Sequence, residues 1–126
     1  MPRFQSVCGY AAALILLLSS VAHSLAGWPA MREQLLRSGA QPELIQGLHM
    51  AWQFGGMVML VLALVVFLVL RAQASGRGAP AQILPIIGAG YAAFGLAEFA
   101  LTQAGFTFVF TVPGLLLLAA AWPRRS

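Results

Sequence analysis

The chain has 126 residues, of which 60% are hydrophobic and only 8% are charged. A soluble domain carries about 25% charged residues because its surface must face water, and seven arginines and three glutamates are too few for that. The composition therefore excludes an ordinary soluble domain and predicts an integral membrane protein. The net charge of +4 comes from arginines scattered along the chain, and without a basic stripe it predicts no nucleic-acid partner.

Four apolar segments are long enough, or nearly so, to cross a hydrocarbon core as helices, which takes ~20 residues each. They are residues 7–25, 48–70, 83–101 and 106–122. The last begins with FTFVFTV, which alternates like a strand, but an unpaired strand finds no hydrogen-bond partner in lipid. Pro113 should kink this helix, with Thr107 or Thr111 able to satisfy the freed carbonyls. The sequence predicts an all-α fold, a single integral membrane four-helix bundle with up-down topology.

The first apolar segment allows a second interpretation. Arg3, the apolar run after it and the small residues that end at Ala26 resemble a secretory signal peptide with its cleavage site. Cleavage would leave three helices. The segment is long for the apolar part of a signal peptide, which favours retention, and both alternatives stay open.

The loop after the first segment contains signals for a short helix. Pro29 suits its first turn and Gly39 its end, while Glu33 and Arg37 form an i, i+4 pair in the favourable orientation. We expect a short amphipathic helix on the outer membrane surface. Pro42 then begins a helix that should continue through the second apolar segment without a break.

The arginines predict the orientation of the protein. Five of the seven lie in the N-terminal tail, the second loop and the C-terminal tail, two lie in the first loop, and the third loop, TQAG, has none. By the positive-inside rule this predicts a multi-pass protein of the bacterial inner membrane with both termini in the cytoplasm. Trp28 and Trp122 fall where an interfacial aromatic belt is expected. The short TQAG turn predicts a hairpin of the third and fourth helices.

This topology brings four polar residues to similar depth at the outer ends of the helices. His23, His49, Gln53 and Glu98 fall within about 8 Å of depth at 1.5 Å per residue. Ionisable residues inside a membrane are costly, so they usually face the bundle interior and have a partner. We therefore expect Glu98 to lie within direct or one-water reach of His23, His49, Gln53 or Arg32.

Three interpretations of this polar layer stay open. The favoured one is a satisfied cluster that holds the outer helix ends together, with Trp52 reaching the interface through its indole N–H. The second is a proton-handling or quinone head-group site, in which Glu98 exchanges a proton with a histidine. The third is a haem or metal site, because two imidazoles and a carboxylate are competent ligands, although no ligand-spacing motif is present. The cofactor is therefore unknown, and no sequence motif identifies catalytic residues.

The third apolar segment is dense in small residues. Ala89, Ala93 and Ala97 are spaced by four, and Gly88 and Ala92 make a second pair beside them. Such stripes let helix backbones approach closely in a membrane. The favoured interpretation is packing within the chain's own bundle, and the alternative is a docking face for a second membrane protein.

In length, number of spans and topology, the chain resembles small four-helix bacterial inner-membrane proteins of the DoxX-like size class. The resemblance extends to no motif, so it implies no site residues. The sequence predicts a membrane protein that acts by helix–helix interaction, as an accessory subunit or a homo-oligomer. Its expected partners are the lipid bilayer and another membrane protein or itself. The alternative is a membrane redox, proton-handling or transport component that uses the outer His/Glu layer.

Overall fold

The computed structural model describes residues 3–122, and this part of the chain is helical with no β-strand. The helices are α1 (Arg3–Ala22), α2 (Trp28–Arg37), α3 (Pro42–Ala74), α4 (Ile83–Thr102) and α5 (Phe108–Ala120). The FTFVFTV stretch is helical, since a 3₁₀ turn at Gly105–Thr107 leads directly into α5. The all-α prediction is confirmed for the described residues.

Helices α1 and α2 form one continuous helical rod. A π-helical turn, His23–Gly27, joins them, so that the chain is helical from Arg3 to Arg37. The ring of Pro29 crowds the carbonyl four residues before it, and the wider π turn immediately upstream accommodates that carbonyl without breaking the helix. The predicted amphipathic helix exists, with its Glu33–Arg37 ion pair, but it continues α1 instead of lying in a separate loop.

Helix α3 begins at Pro42, as predicted, and runs past the apolar segment to Ala74. Pro42 is suited to this position because the first turn of a helix does not use its missing N–H. At 1.5 Å per residue, its 33 residues span about 50 Å. That length exceeds a hydrocarbon core of roughly 30 Å, so both ends of α3 extend beyond the apolar part.

Helices α4 and α5 form a hairpin through the TQAG turn. Gln103 adopts a left-handed conformation with φ 54°, and its N–H donates to the carbonyl of Phe99 at 2.8 Å. The apolar helical stretch after the turn, Gly105–Ala120, is shorter than the ~20 residues that a span requires. Three helical segments of the described chain are therefore long and apolar enough to cross a membrane, and the fourth predicted span is too short. The predicted fourth span is shortened at its start by the TQAG turn. It is shortened at its end because Pro123 disfavours helix in the residue before it.

Helix α1 lies between α3 and α5, and α4 packs on the other side of α5. Fully buried leucines from these four helices meet in one core, namely Leu16, Leu70, Leu84 and Leu117. Helix α4 makes only slight contact with α3, so the four helices form a row, α3–α1–α5–α4, with an open groove between its ends. Signal-peptide cleavage after Ala26 would cut the rod and remove α1 from the centre of this row.

The backbones of α4 and α5 are in direct contact. A Cβ atom on Gly114 would lie 2.8 Å from the carbonyl oxygen of Gly88, and one on Gly95 would lie 2.6 Å from the backbone nitrogen of Thr111. This is the close approach that small residues permit in membranes. Gly88 and Ala92 therefore pack within the chain's own fold, as their spacing predicts.

Pro113 is fully buried inside α5, and the helix continues through it. The two threonines do not supply the expected compensation. Thr107 Oγ1 donates to the carbonyl of Ala104 at 2.8 Å, and Thr111 Oγ1 is buried without a hydrogen-bond partner in the described part of the chain. Helix α4 packs closely against this hydroxyl, since a Cβ atom on Gly95 would overlap it.

The helix contact predicts a difference between two glycines of α4. Gly95→Ala should lower the free energy of unfolding by about 1–3 kcal/mol, because backbone atoms of α5 occupy the space that the new methyl needs. Gly90→Ala is the matched control, since among the described residues no atom of a neighbouring helix lies within 4 Å of its Cβ position. It should be neutral or stabilising, because alanine favours the helix. Denaturant titration in micelles measures both, and equal effects would contradict the α4–α5 contact.

The orientation is testable with an impermeant thiol reagent added outside intact cells. In a Cys8→Ala background, Ser38→Cys should be labelled and Ser75→Cys should not, because the arginine distribution predicts opposite sides for them. Ser38 and Ser75 are both exposed, so burial does not account for a difference. Cys8 itself is buried and should stay unlabelled. Labelling of Ser75→Cys alone would invert the predicted topology.

Candidate functional site

His23 and Trp52 form a reciprocal pair between the π turn and α3. The indole Nε1 of Trp52 donates to the carbonyl oxygen of His23 at 2.7 Å, and Nε2 of His23 lies 3.1 Å from the carbonyl oxygen of Trp52. Since a carbonyl only accepts, Nε2 carries the proton in this contact. The two rings stack at a centroid distance of 4.4 Å with an interplanar angle of 4°. Each side chain therefore donates a hydrogen bond to the backbone carbonyl of the other residue.

Glycines allow this pair to form. A Cβ atom on Gly27 would lie 2.9 Å from the Trp52 ring, and one on Gly55 would lie 3.4 Å from Nε2 of His23. Next to the pair, Ser20 Oγ donates to the carbonyl of Gly56 at 3.0 Å in a buried position. Gly55 and Gly56 therefore allow α1 to lie close to α3, and the π turn places His23 against α3.

A second stacked pair extends the first. Trp28 and His49 stack at 4.6 Å with an interplanar angle of 27°, and the indole of Trp28 lies 6.4 Å from that of Trp52. Nε2 of His49 is 3.4 Å from the amide nitrogen of Gln53. We call His23, Trp28, His49 and Trp52 the His–Trp cluster.

The cluster changes the predicted roles of both tryptophans. Trp28 was expected in an interfacial belt, but it is only 9% exposed and lies against His49. The Trp52 indole N–H was expected to reach the interface, but it donates to His23 instead. Because the helix continues through the π turn, Trp28 lies against α3. A separate helix on the membrane surface would not place it there. The Trp-Pro sequence after Gly27 was the available signal for this local change in helix geometry.

Glu98 lies apart from the histidines. It is half-buried on α4, and within residues 3–122 its carboxylate makes no direct hydrogen bond or ion pair. Only its backbone carbonyl is engaged, by Thr102 Oγ1 at 2.7 Å. The expected direct contact with His23, His49, Gln53 or Arg32 is not formed, because α4 packs on α5 and makes no contact with the π turn or α2.

The predicted polar layer is thus divided laterally. His23, His49 and Gln53 belong to one side of the row of helices, and Glu98 belongs to the other. No group of three or more His, Cys, Asp or Glu side chains that could hold a metal ion occurs in the described part of the chain. A zinc ion bound by His23, His49 and Glu98 would need their ligand atoms about 3–4 Å apart, and α4, which carries Glu98, makes no contact with the π turn that carries His23.

Glu98 is on the same face of α4 as the open groove between α3 and α4. The groove has a volume of about 410 Å³ and is lined by Leu62, Ile87, Gly90, Tyr91, Phe94 and Phe110. Glu98 follows Phe94 by four residues and Tyr91 by seven, so the three share one helix face. The groove is therefore apolar along its length and has a carboxylate at the end where α4 finishes.

The two small-residue stripes of α4 have different surroundings. Gly88 and Ala92 are buried against α5, whereas Ala89, Ala93 and Ala97 are exposed. Packing within the chain's own bundle, the favoured interpretation for the whole set, therefore applies to the first pair only. No other described residue of the chain covers the alanine stripe.

The chain matches no protein-family model, no curated protein and no solved structure. The resemblance to the DoxX-like size class consequently stays a prediction. Any functional conclusion depends on the geometry of the described residues alone.

The His–Trp cluster predicts that the Trp52 indole N–H contributes to stability. Trp52→Phe keeps an aromatic ring against His23 but removes the donor to its carbonyl. The free energy of unfolding should fall by about 1 kcal/mol, the net value of one hydrogen bond. Trp122→Phe is the control, since this tryptophan is 71% exposed and only its backbone carbonyl accepts a hydrogen bond, from Gln5. If both variants unfold at the wild-type denaturant concentration, the Trp52–His23 hydrogen bond does not contribute.

Proposed function

We propose that the protein acts within a membrane by helix–helix association, as a homo-oligomer or as an accessory subunit of another membrane protein, and that it docks through α4. The observation that carries the proposal is the single-sided packing of α4. This helix contacts α5 closely and α3 only slightly, so most of its circumference has no neighbour among residues 3–122 of one chain. A helix in this position offers a surface for another chain.

The alanine stripe supports docking by a helix. In lipid, apolar surface alone does not drive helices together, because lipid tails are as apolar as leucine. Close backbone approach over small residues supplies the attraction instead. Ala89, Ala93 and Ala97 provide a smooth exposed surface of this kind, and the crossing of α4 with α5 shows how closely a helix approaches the other small residues of α4.

Glu98 gives the same helix a polar requirement. An ionisable side chain within a membrane is costly unless it has a partner, and the carboxylate of Glu98 has no direct partner in the described chain. A donor from a docking helix would remove that cost. Glu98 lies about 100° around α4 from Ala97, on the groove face with Tyr91 and Phe94, so a docking partner reaches the carboxylate by covering that face as well as the stripe.

The proposed setting is the bacterial inner membrane, with both termini in the cytoplasm. It is supported by three helical segments that are long and apolar enough to cross a membrane and by the excess of arginines in the tails and second loop. In this setting, α4 presents its docking face to the lipid phase, where a second membrane protein or a second copy can reach it.

The redox, proton-handling or transport alternative requires histidine and glutamate side chains to act together in one site. The described side chains provide no direct His–Glu hydrogen bond, so no observation favours it over association. An absorption spectrum and a metal analysis of the purified protein test it directly. A haem Soret band or a stoichiometric metal would support the alternative.

The test of association is Ala93→Leu, which puts a bulky side chain at the middle of the alanine stripe. Because Ala93 is exposed in one chain, the helical fold should be retained while chemical crosslinking in membranes falls severalfold. Leu96→Phe is the control on the same helix, since position 96 is also exposed, at 53%, but already has a bulky side chain and is not one of the small residues that allow close approach. Equal crosslinking for both variants and the wild type would contradict docking through the stripe.

The crosslinked products distinguish the two forms of the proposal. A product at twice the mass of the chain indicates a homo-oligomer, and a heavier product containing a second polypeptide indicates an accessory subunit. Glu98→Ala should weaken the same product, and Glu98→Gln should retain more of it because an amide still forms hydrogen bonds.

A further inference from the structure

We propose that the pocket between α2 and the start of α3 binds the phosphate-bearing head group of an anionic phospholipid. The pocket has a volume of about 410 Å³ and is lined by Trp28, Arg32, Leu36, Ala40, Pro42, Ile45, Gln46 and His49. This assignment depends on the membrane setting proposed above, but not on association through α4. The α2–α3 pocket lies at the α3 end of the row of helices, and α4 lies at the other end.

The charge of the α2–α3 pocket favours an anion. Arg32 lines it and forms no ion pair among the residues that the structure describes, where the one ion pair joins Glu33 to Arg37. The acid next to Arg32 is therefore already neutralised. Glu43, at the first turn of α3, does not line the pocket. The lining thus contains a guanidinium and no carboxylate.

The polar side chains of the pocket are hydrogen-bond donors of the kind that phosphate oxygens need. Arg32 offers up to five N–H groups in a planar fork that matches phosphate geometry. The amide of Gln46 adds a further donor. His49 also lines the pocket, and its imidazole has a ring N–H that can donate.

The remaining lining suits the apolar part of a lipid. Leu36, Pro42 and Ile45 present hydrocarbon, and the ring of Trp28 forms a rigid wall held in place by its stack on His49. Polar donors and apolar surface in one open pocket match a phosphodiester joined to acyl chains. A free phosphate ion would bind to the donors but would make no contact with the apolar lining residues.

The position of the pocket along α3 corresponds to the head-group layer. The apolar run of α3 from Phe54 ends at Arg71, and ~20 residues cross the hydrocarbon core, so the opposite boundary falls near Ala51. His49 and Gln46 are two and five residues beyond it, about 3 and 7.5 Å at 1.5 Å per residue. The head-group layer occupies roughly 5–7 Å on each side of the core. A phosphate bound by these donors would therefore lie at the depth of lipid phosphates.

The experiment is a titration of phosphatidylglycerol into the purified full-length protein in a neutral detergent, with bound lipid counted by native mass spectrometry. Phosphatidylcholine is titrated in parallel as the zwitterionic lipid. We expect one tightly bound phosphatidylglycerol per chain. Arg32→Gln should weaken it roughly fivefold, the factor for one basic residue at an anionic membrane surface, and Arg32→Lys should weaken it less.

Arg37→Gln is the matched control, because Arg37 is also an exposed arginine of α2 but lies outside the pocket and is paired with Glu33. It should leave the affinity for phosphatidylglycerol within twofold of wild type. An equal loss in both variants would overturn the proposal in favour of general surface charge. Equal affinity for the two lipids, or no effect of Arg32→Gln, would also overturn it.

A competition arm separates the two sources of phosphate. Millimolar inorganic phosphate should not displace phosphatidylglycerol, and full displacement would reassign the pocket to a small anion. Crosslinking of the same samples reports association through α4 independently. Loss of lipid selectivity with crosslinking intact contradicts the lipid site alone, and the reverse result contradicts the proposed function alone.

Discussion

The backbone contact between α4 and α5 determines how the rest of the chain is arranged. Gly88, Gly95 and Gly114 allow the two helices to approach until no side chain fits between them. Helix α5 also packs against α1, and α1 packs against α3, so α1 and α5 each lie between two other helices. Helix α4 is left at the end of the row with one close neighbour, α5, and only slight contact with α3. The open groove, the uncovered alanine stripe and the unpaired Glu98 all follow from that single contact.

The π turn has a comparable effect at the other end of the row. Because the chain stays helical through it, α2 continues from α1 and lies against the first turns of α3. His23 then faces Trp52, and Trp28 reaches His49. Without the π turn, a loop would separate α1 from α2, and neither the His–Trp cluster nor the α2–α3 pocket would have a fixed wall.

The sequence predicted features that depend on local patterns. The helical segments follow from apolar runs, the start of α3 follows from Pro42, and the Glu33–Arg37 pair follows from its spacing. The lateral arrangement was not predictable in this way. Depth along a helix can be counted in residues, which grouped His23, His49 and Glu98, but the choice of neighbours depends on side-chain shape in three dimensions.

The small residues of α4 illustrate the same limit. Two stripes with the same spacing of four lie one residue apart, which is a rotation of about 100° around the helix. Spacing alone does not select between them. The stripe that packs on α5 contains Gly88, which permits a closer approach than Ala89 would. The backbone contact therefore selects the glycine stripe and leaves the alanine stripe exposed.

Glu98 and Arg32 have opposite signs and neither forms an ion pair among the described residues, but they belong to opposite ends of the row. They cannot neutralise each other within one chain, since α4 makes no contact with α2. Each must therefore find its partner outside the chain or in water. The apolar groove beside Glu98 favours a helix as its partner, whereas the donors and hydrocarbon around Arg32 favour a lipid phosphate. One helix order thus leaves two separate surfaces, each with its own chemistry.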